Sequence, residues 1–589
     1  MKALSIAVAA FSTFNTTRPR LFTFPNPSTS SSLLLPSFKL KRSSIFSVQQ
    51  TPPALGFYAG VTTMVEGSAF QPLSVQVKDH IDLSPKEEQI FNRLLQVVEH
   101  YNMGTQLRVA GGWVRDKLLG KECYDIDIAL DNMYGREFCE KVNEYLSASG
   151  EETQGVGVIQ CNPDQSKHLE TARMRLFDVW IDFVNLRAED YSENSRIPTM
   201  KFGTAKQDAD RRDLTINSLF YNINTRSVED LTERGIADLK SGEIVTPLPP
   251  KQTFLDDPLR VLRAIRFGAR FGFILDEELK KAAADEDVRV AIADKISRER
   301  IGHEIDLMMS GDQPVKAMTY IADLKLFSAV FSLPSDFEPS IPDGCDRLCL
   351  SCLGSAWELL NLIGRSSFSD DQRRLCLYAA LFLPFRETIY RDNKAKKIPV
   401  VNYIFRNSLK LKASDAEIVM SLHTVTKKFV TLISLLVSKD DIQVLEVDWK
   451  RDTIEVPIAS KLRILTGLLL REIKEFWRVA LLLSMLLHPV DVESSTSFSN
   501  ENFELDKSSG LFKTIENAVR TLGLEKVWEM KPLVNGKEIM NILEIKSGGP
   551  VVREWQQKLL EWQLAHPSGS AEECIDWMKQ AQSKRARTE

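Results

Sequence analysis

The chain has 589 residues, of which 43% are hydrophobic and 26% charged, and its formal net charge is −5 at pH 7. This composition is ordinary for a globular protein of several domains and excludes fibrous and wholly disordered chains. Because the chain is weakly acidic, any nucleic-acid partner requires a local basic patch. Eight cysteines in so long a chain do not make a disulfide framework, which indicates a reducing compartment.

Residues 1–63 have the composition of an organellar transit peptide. They contain no Asp or Glu, are rich in Ser, Thr and Pro, and scatter basic residues among apolar ones. We expect this segment to be disordered and to direct the protein to the mitochondrion, the chloroplast or both. No membrane-spanning segment is expected, since the most apolar run, Val479–Leu487, is far shorter than the ~20 residues that a bilayer requires.

The first folded elements are predicted to surround a glycine turn. Pro85–Tyr101 carries apolar residues at helical spacing and predicts an amphipathic helix. Leu107–Ala110 is a short apolar strand that ends at Gly111-Gly112, and a short helix follows up to Gly120. Two consecutive glycines allow the backbone to approach a phosphate closely.

A second strand, Tyr124–Leu130, is predicted to carry two carboxylates on one face. Apolar residues alternate with Asp125 and Asp127, so both acids project from the side opposite the buried one. Hard oxygen ligands at this spacing suit Mg²⁺, which takes its other ligands from water and substrate phosphate. For an isolated Asp-x-Asp, a solvated strand face is the alternative interpretation. The glycine turn and Arg115 upstream favour the metal site.

Further strands and one loop are predicted before residue 211. Gly135–Leu146 is predicted to be a helix, and Gly155–Gln160 and Ala172–Leu186 to be strands. The second of these strands turns Asp182 away from its buried side, where it is either a third metal-site carboxylate or a solvated acid. Arg187–Asp210 is polar and lacks periodicity, as expected of a mobile loop.

Five segments in this order resemble the motifs of the class II tRNA nucleotidyltransferases (CCA-adding enzymes) and the bacterial-type poly(A) polymerases, within the polymerase beta superfamily. The resemblance covers Leu107 to about Met309. The matching segments are GGWVRD with YDIDIAL for motif A, RRDLTINSLFYN for motif B, DLTERG for motif C, DDPLRVLRAIRF for motif D and ISRERIGHEI for motif E.

The resemblance implies an α+β fold in which a polymerase-beta-like head is followed by an all-α neck, body and tail. We place the head at residues 64–225, the nucleotide-selecting neck at 226–310 and the tRNA-binding body and tail at 311–589. The implied activity is template-independent addition of C, C and A to the tRNA 3′ end from CTP and ATP, with release of pyrophosphate. Poly(A) polymerases share every motif and remain the alternative. No obligate protein partner is expected, and the resemblance implies that a start at Met64 gives a cytoplasmic and nuclear form.

The resemblance also assigns the site residues. Asp125 and Asp127 are expected to hold Mg²⁺ as the catalytic acids. Nucleotide-binding positions are expected in the glycine turn and in motifs A, B and D, at Gly112, Arg115, Arg212, Asp257, Arg260, Arg263 and Arg266. One short predicted helix carries four arginines, Arg260, Arg263, Arg266 and Arg270. Because like charges at this spacing repel each other, they indicate an anionic partner.

The base chemistry agrees with the implied nucleotides. Cytosine and adenine both present an amino donor beside a ring-nitrogen acceptor, which a carboxylate and a guanidinium match. Asp257 and Arg260, one turn apart, are predicted to read that edge, with Asp257 also capping the helix that begins at Pro258. Asp256 replaces the glutamate of the family's Glu-Asp-x-x-Arg pattern, a mild departure.

Beyond Met309 the sequence predicts helices and two linkers. Cys345, Cys349 and Cys352 lie in leucine-rich surroundings and are predicted to be buried apolar residues rather than metal ligands. The predicted helices include Ser355–Ile363, Asp371–Phe382, Lys461–Leu487 and Val552–Leu564, and the predicted linkers are Leu333–Gly344 and Ser494–Gly510.

Overall fold

The computed structural model describes residues 75–159, 171–190, 199–341, 343–437, 458–487 and 501–588. The predicted transit peptide at residues 1–63 lies outside these ranges. The first helix is α1 (Pro85–His100), as predicted. Ser84 and Glu87 begin it with a capping box, in which each side chain accepts a hydrogen bond from the backbone N–H of the other residue.

A seven-stranded mixed sheet follows, with strand order β3-β4-β5-β2-β1-β8-β9. Only the β2–β5 pair is parallel, and β6 pairs separately with β7. The strands of this region are β1 (Leu107–Ala110), β2 (Ile126–Leu130), β3 (Val156–Ile159), β4 (Thr171–Leu176), β5 (Val179–Asn185), β6 (Arg187–Asp190), β7 (Thr199–Phe202), β8 (Phe220–Asn222) and β9 (Ser227–Glu229).

Helices pack on both faces of this sheet. The helices of this region are α2 (Gly112–Leu118), α3 (Gly135–Ala148) and α4 (Ala205–Asp210). On one face α3 covers β4 and β5, with the Phe138 and Phe183 rings 5.4 Å apart. On the other face Ala209 of α4 joins Ala129, Phe220 and two other buried residues in a small separate core. Since Ala129 lies on the face of β2 that carries Asp127, α4 covers one end of that face and leaves the acid end open.

Two predictions for the strands of the sheet were wrong in detail. The second carboxylate strand begins at Ile126, and Tyr124 before it is 80% exposed. Ala172–Leu186 is not one strand, because Phe177 and Asp178 both take a positive φ (47° and 68°) and form a two-residue turn between β4 and β5. A Phe at such a position is rare, so composition gave no sign of the turn.

The predicted loop at Arg187–Asp210 was also wrong at both ends. Its start and end form β6, β7 and α4, and only residues 191–198 within it lie outside the described ranges. Thr204 begins α4 with a capping box to Gln207. The charged residues that suggested a loop are instead the partners of the site described below.

The remainder is helical, with three short strand pairings. Its elements are α5 (Gly235–Ser241), β10 (Glu243–Ile244), α6 (Pro250–Asp256), α7 (Leu259–Phe271), β11 (Ile274–Leu275), α8 (Glu277–Ala283), α9 (Glu286–Lys295), α10 (Arg298–Met309), α11 (Pro314–Asp323), α12 (Phe327–Val330), β12 (Phe337–Glu338), α13 (Cys345–Ile363), α14 (Asp370–Leu381), β13 (Ile389–Arg391), β14 (Lys397–Pro399), α15 (Val400–Tyr403), α16 (Ala413–Val437), α17 (Ile458–Ile473), α18 (Trp477–Met485), α19 (Glu501–Thr521), α20 (Gly536–Ile542), α21 (Pro550–Ala565) and α22 (Ala571–Thr588). The predicted α+β class, a mixed sheet with helices followed by helices, is confirmed.

Details of the helical part differ from the prediction. Lys461–Leu487 is broken between α17 and α18 at Lys474, whose φ is +52°. The predicted linker Ser494–Gly510 instead begins α19 at Glu501, while residues 488–500 lie outside the described ranges. Helix α7 begins one residue later than predicted, at Leu259, so Pro258 and not Asp257 occupies the N-cap position. Asp257 nevertheless accepts the Leu259 N–H at 3.2 Å.

Helix α16 is long and apolar enough to cross a membrane by length and composition alone. It nevertheless packs against α14, α17, α18 and α19, and half of its most apolar stretch is buried. Core helices share these features. In α13, Cys345, Cys349 and Cys352 are buried as predicted.

Candidate active site

Three carboxylates lie together on the open face of the sheet. Asp127 of β2 and Asp182 of β5 are direct partners in the parallel register, so both side chains project from the same face. Asp125, one residue before β2, is exposed. Burial, together with the charges of Asp125 and Asp182, raises the pKa of Asp127 to about 6. A site that disfavours its own negative charge in this way favours an added cation.

A guanidinium already shares this acid cluster. Arg173 of β4 pairs with Asp182 across the antiparallel register, and its Nη2 donates to Asp182 Oδ2 at 2.7 Å. The hydrogen bond to Asp182 raises the pKa of Arg173, and the charges of Asp125 and Asp127 act in the same direction. Asp182 is therefore neither remote from the acids nor a simple solvated side chain.

The predicted acids do fit a divalent cation. Their ligand atoms are all carboxylate oxygens, the donor type that Mg²⁺ prefers. Within the described ranges no group of three or more His, Cys, Asp or Glu side chains is arranged as a complete metal cage. Mg²⁺ does not need one, because it is held by one or two carboxylates together with water and substrate phosphates.

The glycine turn lies beside the acids. The β1–β2 register pairs Val109 with Ile128, which brings the turn after β1 next to the start of β2. Gly111 has φ +69°, and a Cβ there would lie 2.8 Å from Nη1 of Arg212. Only glycine combines this backbone conformation with so close a guanidinium. The turn and Arg212 therefore form one surface.

Arg212 is held in place by a buried acid. Its Nε and Nη2 donate to Asp208 Oδ2 at 3.1 and 2.9 Å, and its guanidinium lies 5.1 Å from the centre of the Phe220 ring. Burial alone would raise the pKa of Asp208, but Arg212 and Arg211 lower it to about 2. The charge of Arg212 also opposes the rise in the pKa of Asp127, so the two residues are electrostatically coupled.

A buried chain of polar contacts connects α2 with α7 through the motif B segment. Arg115 donates to Asn217 Oδ1, Asn217 donates to Asp213 Oδ1 at 3.1 Å, and Arg263 donates to Asp213 Oδ2 at 2.7 Å. Asp213 is buried, and although burial would raise its pKa, Arg263 and Asn217 lower it to about 2. Asp213 and Asn217 were not among the predicted site residues, yet they connect Arg115 with Arg263.

Arg115 itself is buried, although it was predicted to contact phosphate. Only 3% of the residue is exposed, and its guanidinium lies 4.7 Å from the centre of the Phe271 ring. Its Nε also donates to Asp116 at 2.8 Å. In this structure it supports the turn: its Nη2 is 3.6 Å from the position of a Cβ at Gly112.

The predicted base-reading residues each have a partner outside motif D. Asp257 Oδ2 accepts from Arg300 Nη2 at 3.1 Å, and Arg260 Nη2 donates to the Arg211 carbonyl at 2.7 Å. Arg266 Nε donates to Glu304 at 2.6 Å. Arg300 and Glu304 belong to α10, so motif E supports motif D. The opposite charges of motifs D and E were visible in the sequence, but only the structure shows which residues pair.

The structure thus brings the predicted residues to one region, in two groups. Asp125, Asp127, Arg212 and the glycine turn form the acid and phosphate side. The second group, on or beside α7, reaches the first through contacts with Arg211 and Asp213. A site that pairs a cation-seeking acid cluster with a guanidinium-lined turn is suited to nucleotidyl transfer.

Comparisons with known proteins agree with this geometry. Residues 107–245 match the Poly A polymerase head domain family. The tRNA nucleotidyltransferase cca2 of Schizosaccharomyces pombe is 34% identical over 480 residues, which cover 80% of this chain and 92% of the relative. The chain belongs to the tRNA nucleotidyltransferase family. The mitochondrial CCA tRNA nucleotidyltransferase of Saccharomyces cerevisiae, also 34% identical, matches 85% of this chain and 93% of its own length.

Solved structures support the family's fold. The Bacillus stearothermophilus CCA-adding enzyme, solved in complex with CTP, superposes with a TM-score of 0.56 at 18% identity and covers 86% of this chain and all of its own length. A Haemophilus influenzae protein named poly(A) polymerase I is 27% identical over only 52% of this chain. The family member described here is therefore more similar to the CCA enzymes than to that polymerase.

Proposed function

We propose that the protein adds C, C and A to the 3′ end of immature tRNA from CTP and ATP, without a nucleic-acid template. The observation that carries this proposal is the contact between Arg212 and the Gly111 turn beside Asp127, in a chain that covers more than nine-tenths of relatives named for this activity. Phosphoryl transfer leaves little covalent chemistry to the protein, so positioning and charge neutralisation account for most of the catalysis.

In the proposed reaction, the tRNA 3′-hydroxyl attacks the α-phosphate of the nucleotide in line, and pyrophosphate leaves. Asp125 and Asp127 would hold Mg²⁺, which supplies charge neutralisation and lowers the pKa of the attacking hydroxyl when bound. Arg212 and the backbone of Gly112 neutralise and orient the triphosphate. Arg115 acts indirectly, because its buried guanidinium packs against the glycine turn and donates a hydrogen bond to Asn217.

The nucleotide pocket is assigned to α7 and the residues that support it. Asp257 accepts from the exocyclic amino group of cytosine or adenine, and Arg260 donates to the adjacent ring nitrogen. Arg263 and Arg266, held by Asp213 and Glu304, keep α7 close to motif B and α10. Uracil and guanine present the opposite pattern and leave both protein groups unpaired.

The remaining assignments follow the sequence expectations. We propose that residues 1–63 are a transit peptide for the mitochondrion or chloroplast, and that a start at Met64 gives the cytoplasmic and nuclear form. Mitochondrial location is supported by the name of the yeast relative. The division into a head at 64–225, a neck at 226–310 and a tRNA-binding body and tail at 311–589 is part of the same proposal.

An assay with tRNA that lacks its last three nucleotides tests this function. The purified protein is incubated with that tRNA, Mg²⁺ and each labelled nucleoside triphosphate in turn. Two C additions and one A addition followed by arrest are expected. Long A tracts would replace the proposal by a poly(A) polymerase, and the absence of any incorporation with Mg²⁺ or Mn²⁺ would leave an RNA-binding scaffold.

A further inference from the structure

The open face of the sheet continues beyond the acids onto β4 and β5. The antiparallel register pairs Arg173 with Asp182 and Arg175 with Trp180, so all four side chains project from the face that carries Asp127. The opposite face of the same strands is covered by α3. The side chains of Arg173 and Arg175 are 46% and 51% exposed, and Trp180 is 54% exposed.

An exposed tryptophan between arginines is unusual in a surface strand. Large aromatic rings are normally buried, and an exposed one beside positive charge commonly marks a binding surface. Among the described residues, the polar partner of Arg175 lies on its own hairpin: Nη2 is 3.3 Å from Asp178 Oδ1, and the side chain of Asp178 is itself 79% exposed. Neither Trp180 nor Arg175 has a part in the nucleotide site described above.

The order of the strands fixes what can approach this surface. The turn and Arg212, which would bind the triphosphate, lie on the β1 and β8 side of β2, whereas β5 and β4 lie on its other side. In an in-line displacement the leaving pyrophosphate and the attacking oxygen are on opposite sides of the reacting phosphorus. If pyrophosphate leaves towards the turn, the attacking hydroxyl must enter over β5 and β4.

We propose that Trp180 and Arg175 form the seat for the last nucleotides of the RNA substrate. This inference rests on the proposed function and extends it to the RNA terminus. The indole stacks on a base next to the reacting 3′ end, and the guanidinium of Arg175 contacts a backbone phosphate. Stacking is insensitive to base identity, as required of a seat that receives a different terminal base at each of three additions.

The charge on this surface agrees with such an occupant. Arg173 is engaged by Asp182, and among the described residues of these two strands Arg175 is the other cation, paired only with the exposed Asp178. A single-stranded RNA end offers one phosphate for each base, so one guanidinium beside one indole matches one nucleotide. The seat is part of the rigid β4–β5 hairpin, which holds the RNA end in register with the acids on β2 and β5.

Trp180→Ala and Arg175→Ala test the proposal, with Trp180→Phe as the conservative variant. Arg136→Ala is the matched control, since Arg136 is a similarly exposed arginine with a local acid partner, Glu140, but lies on α3 across the sheet. The assay measures KM for tRNA ending in CC and KM for ATP separately. In a second measurement, 2-aminopurine in the tRNA 3′ overhang reports stacking by fluorescence quenching.

Trp180→Ala is expected to raise KM for tRNA about tenfold, consistent with the loss of one stacked base, to reduce the quenching and to leave KM for ATP unchanged. Trp180→Phe should restore most of the affinity. Arg175→Ala should weaken binding less and reduce its salt dependence, whereas Arg136→Ala should do neither.

Unchanged tRNA affinity and unchanged quenching in Trp180→Ala would overturn the seat. An equal rise in KM for ATP would also overturn it, by showing a general defect of the site. Because the wild-type protein is assayed for CCA addition in parallel, failure of the seat is distinguishable from failure of the proposed function.

Discussion

Asp127 on β2 and Asp182 on β5 are direct partners in the one parallel strand pair of the seven-stranded sheet. The pairing holds their carboxylates on the same face, and Asp125 adds a third negative charge beside them. The arrangement is unfavourable for the protein alone, because the charges of Asp125 and Asp182 both raise the pKa of Asp127. Such strain is retained where a cation and a substrate relieve it.

Replacing the two predicted catalytic acids should separate activity from stability. Asp125→Asn and Asp127→Asn keep the shape of the side chain, and each should lower kcat for nucleotide addition by roughly 10²–10³-fold or more. The metal-free Asp127→Asn protein should be at least as stable as the wild type at pH 8, because burial and neighbouring carboxylates disfavour the charged form. Single-turnover kinetics and urea unfolding measure the two quantities. Activity close to that of the wild type in both variants would show that neither acid has a catalytic role.

Arg173 should weaken the binding of divalent cations. Its guanidinium is bound to Asp182 and lies within the field of Asp125 and Asp127, so it already supplies part of the positive charge that a metal would bring. Arg173→Met removes that charge and should raise Mn²⁺ affinity about tenfold, or roughly 1.4 kcal/mol. Electron paramagnetic resonance of free Mn²⁺ measures the affinity without turnover, with Arg136→Met as control. Weaker Mn²⁺ binding would instead show that Arg173 orients Asp182 towards the metal.

Arg260 should govern nucleotide choice more than nucleotide affinity. Arg260→Ala removes a donor predicted to face the base edge, at a cost of about 1–3 kcal/mol of discrimination. The ratio of kcat/KM for CTP to that for UTP should fall accordingly, while triphosphate affinity changes less. Arg270→Ala is a suitable control on the same helix, because its side chain is 51% exposed and lies 3.9 Å from its acid partner. Equal incorporation ratios in Arg260→Ala and wild type would contradict the base-reading role.

The sequence was enough to propose the site residues, but it did not reveal the distant residues that hold them in place. Asp125, Asp127 and the glycine turn are local patterns, so strand alternation and spacing single them out as candidates, and the family resemblance assigns their roles. The partners of the arginines come from distant segments: Asp257 pairs with Arg300, and Arg263 with Asp213. Ion pairs of this kind leave no periodic signal. The break at Lys474 and the Phe177-Asp178 turn were missed for a related reason, because non-glycine residues adopt positive φ there against their local preference.

Gly302 should be essential for stability. A Cβ at Gly302 in α10 would overlap backbone atoms of Leu409, which cannot move aside like a flexible side chain. Gly302→Ala should therefore destabilise the protein by about 1–3 kcal/mol or more. At Gly354 in α13 nothing lies within 4 Å of the Cβ position, and Gly354→Ala should stabilise the protein by about 0.5–1 kcal/mol. Urea unfolding of both variants checks the opposite signs, and equal effects would contradict the close approach of α10 to Leu409.

His423 should make the helical part sensitive to acid. It is buried in α16, and its Nε2 lies 2.7 Å from the Ala379 carbonyl. Burial and the nearby charge of Arg386 together lower its pKa from 6.5 to about 4. The hydrogen bond to Ala379 and the charge of Glu387 oppose this shift only in part.

Between pH 6.5 and 4 the unfolded chain binds a proton at this position and the folded protein does not, so the free energy of unfolding falls as the pH falls. The loss should reach about 3 kcal/mol at pH 4. His423→Gln keeps a donor for the Ala379 carbonyl but does not titrate, so its free energy of unfolding should fall less over the same range. Urea unfolding of both proteins at pH 7.5, 5.5 and 4.5 measures the difference. Parallel pH dependences would show that His423 is protonated as readily in the folded protein as in the unfolded chain.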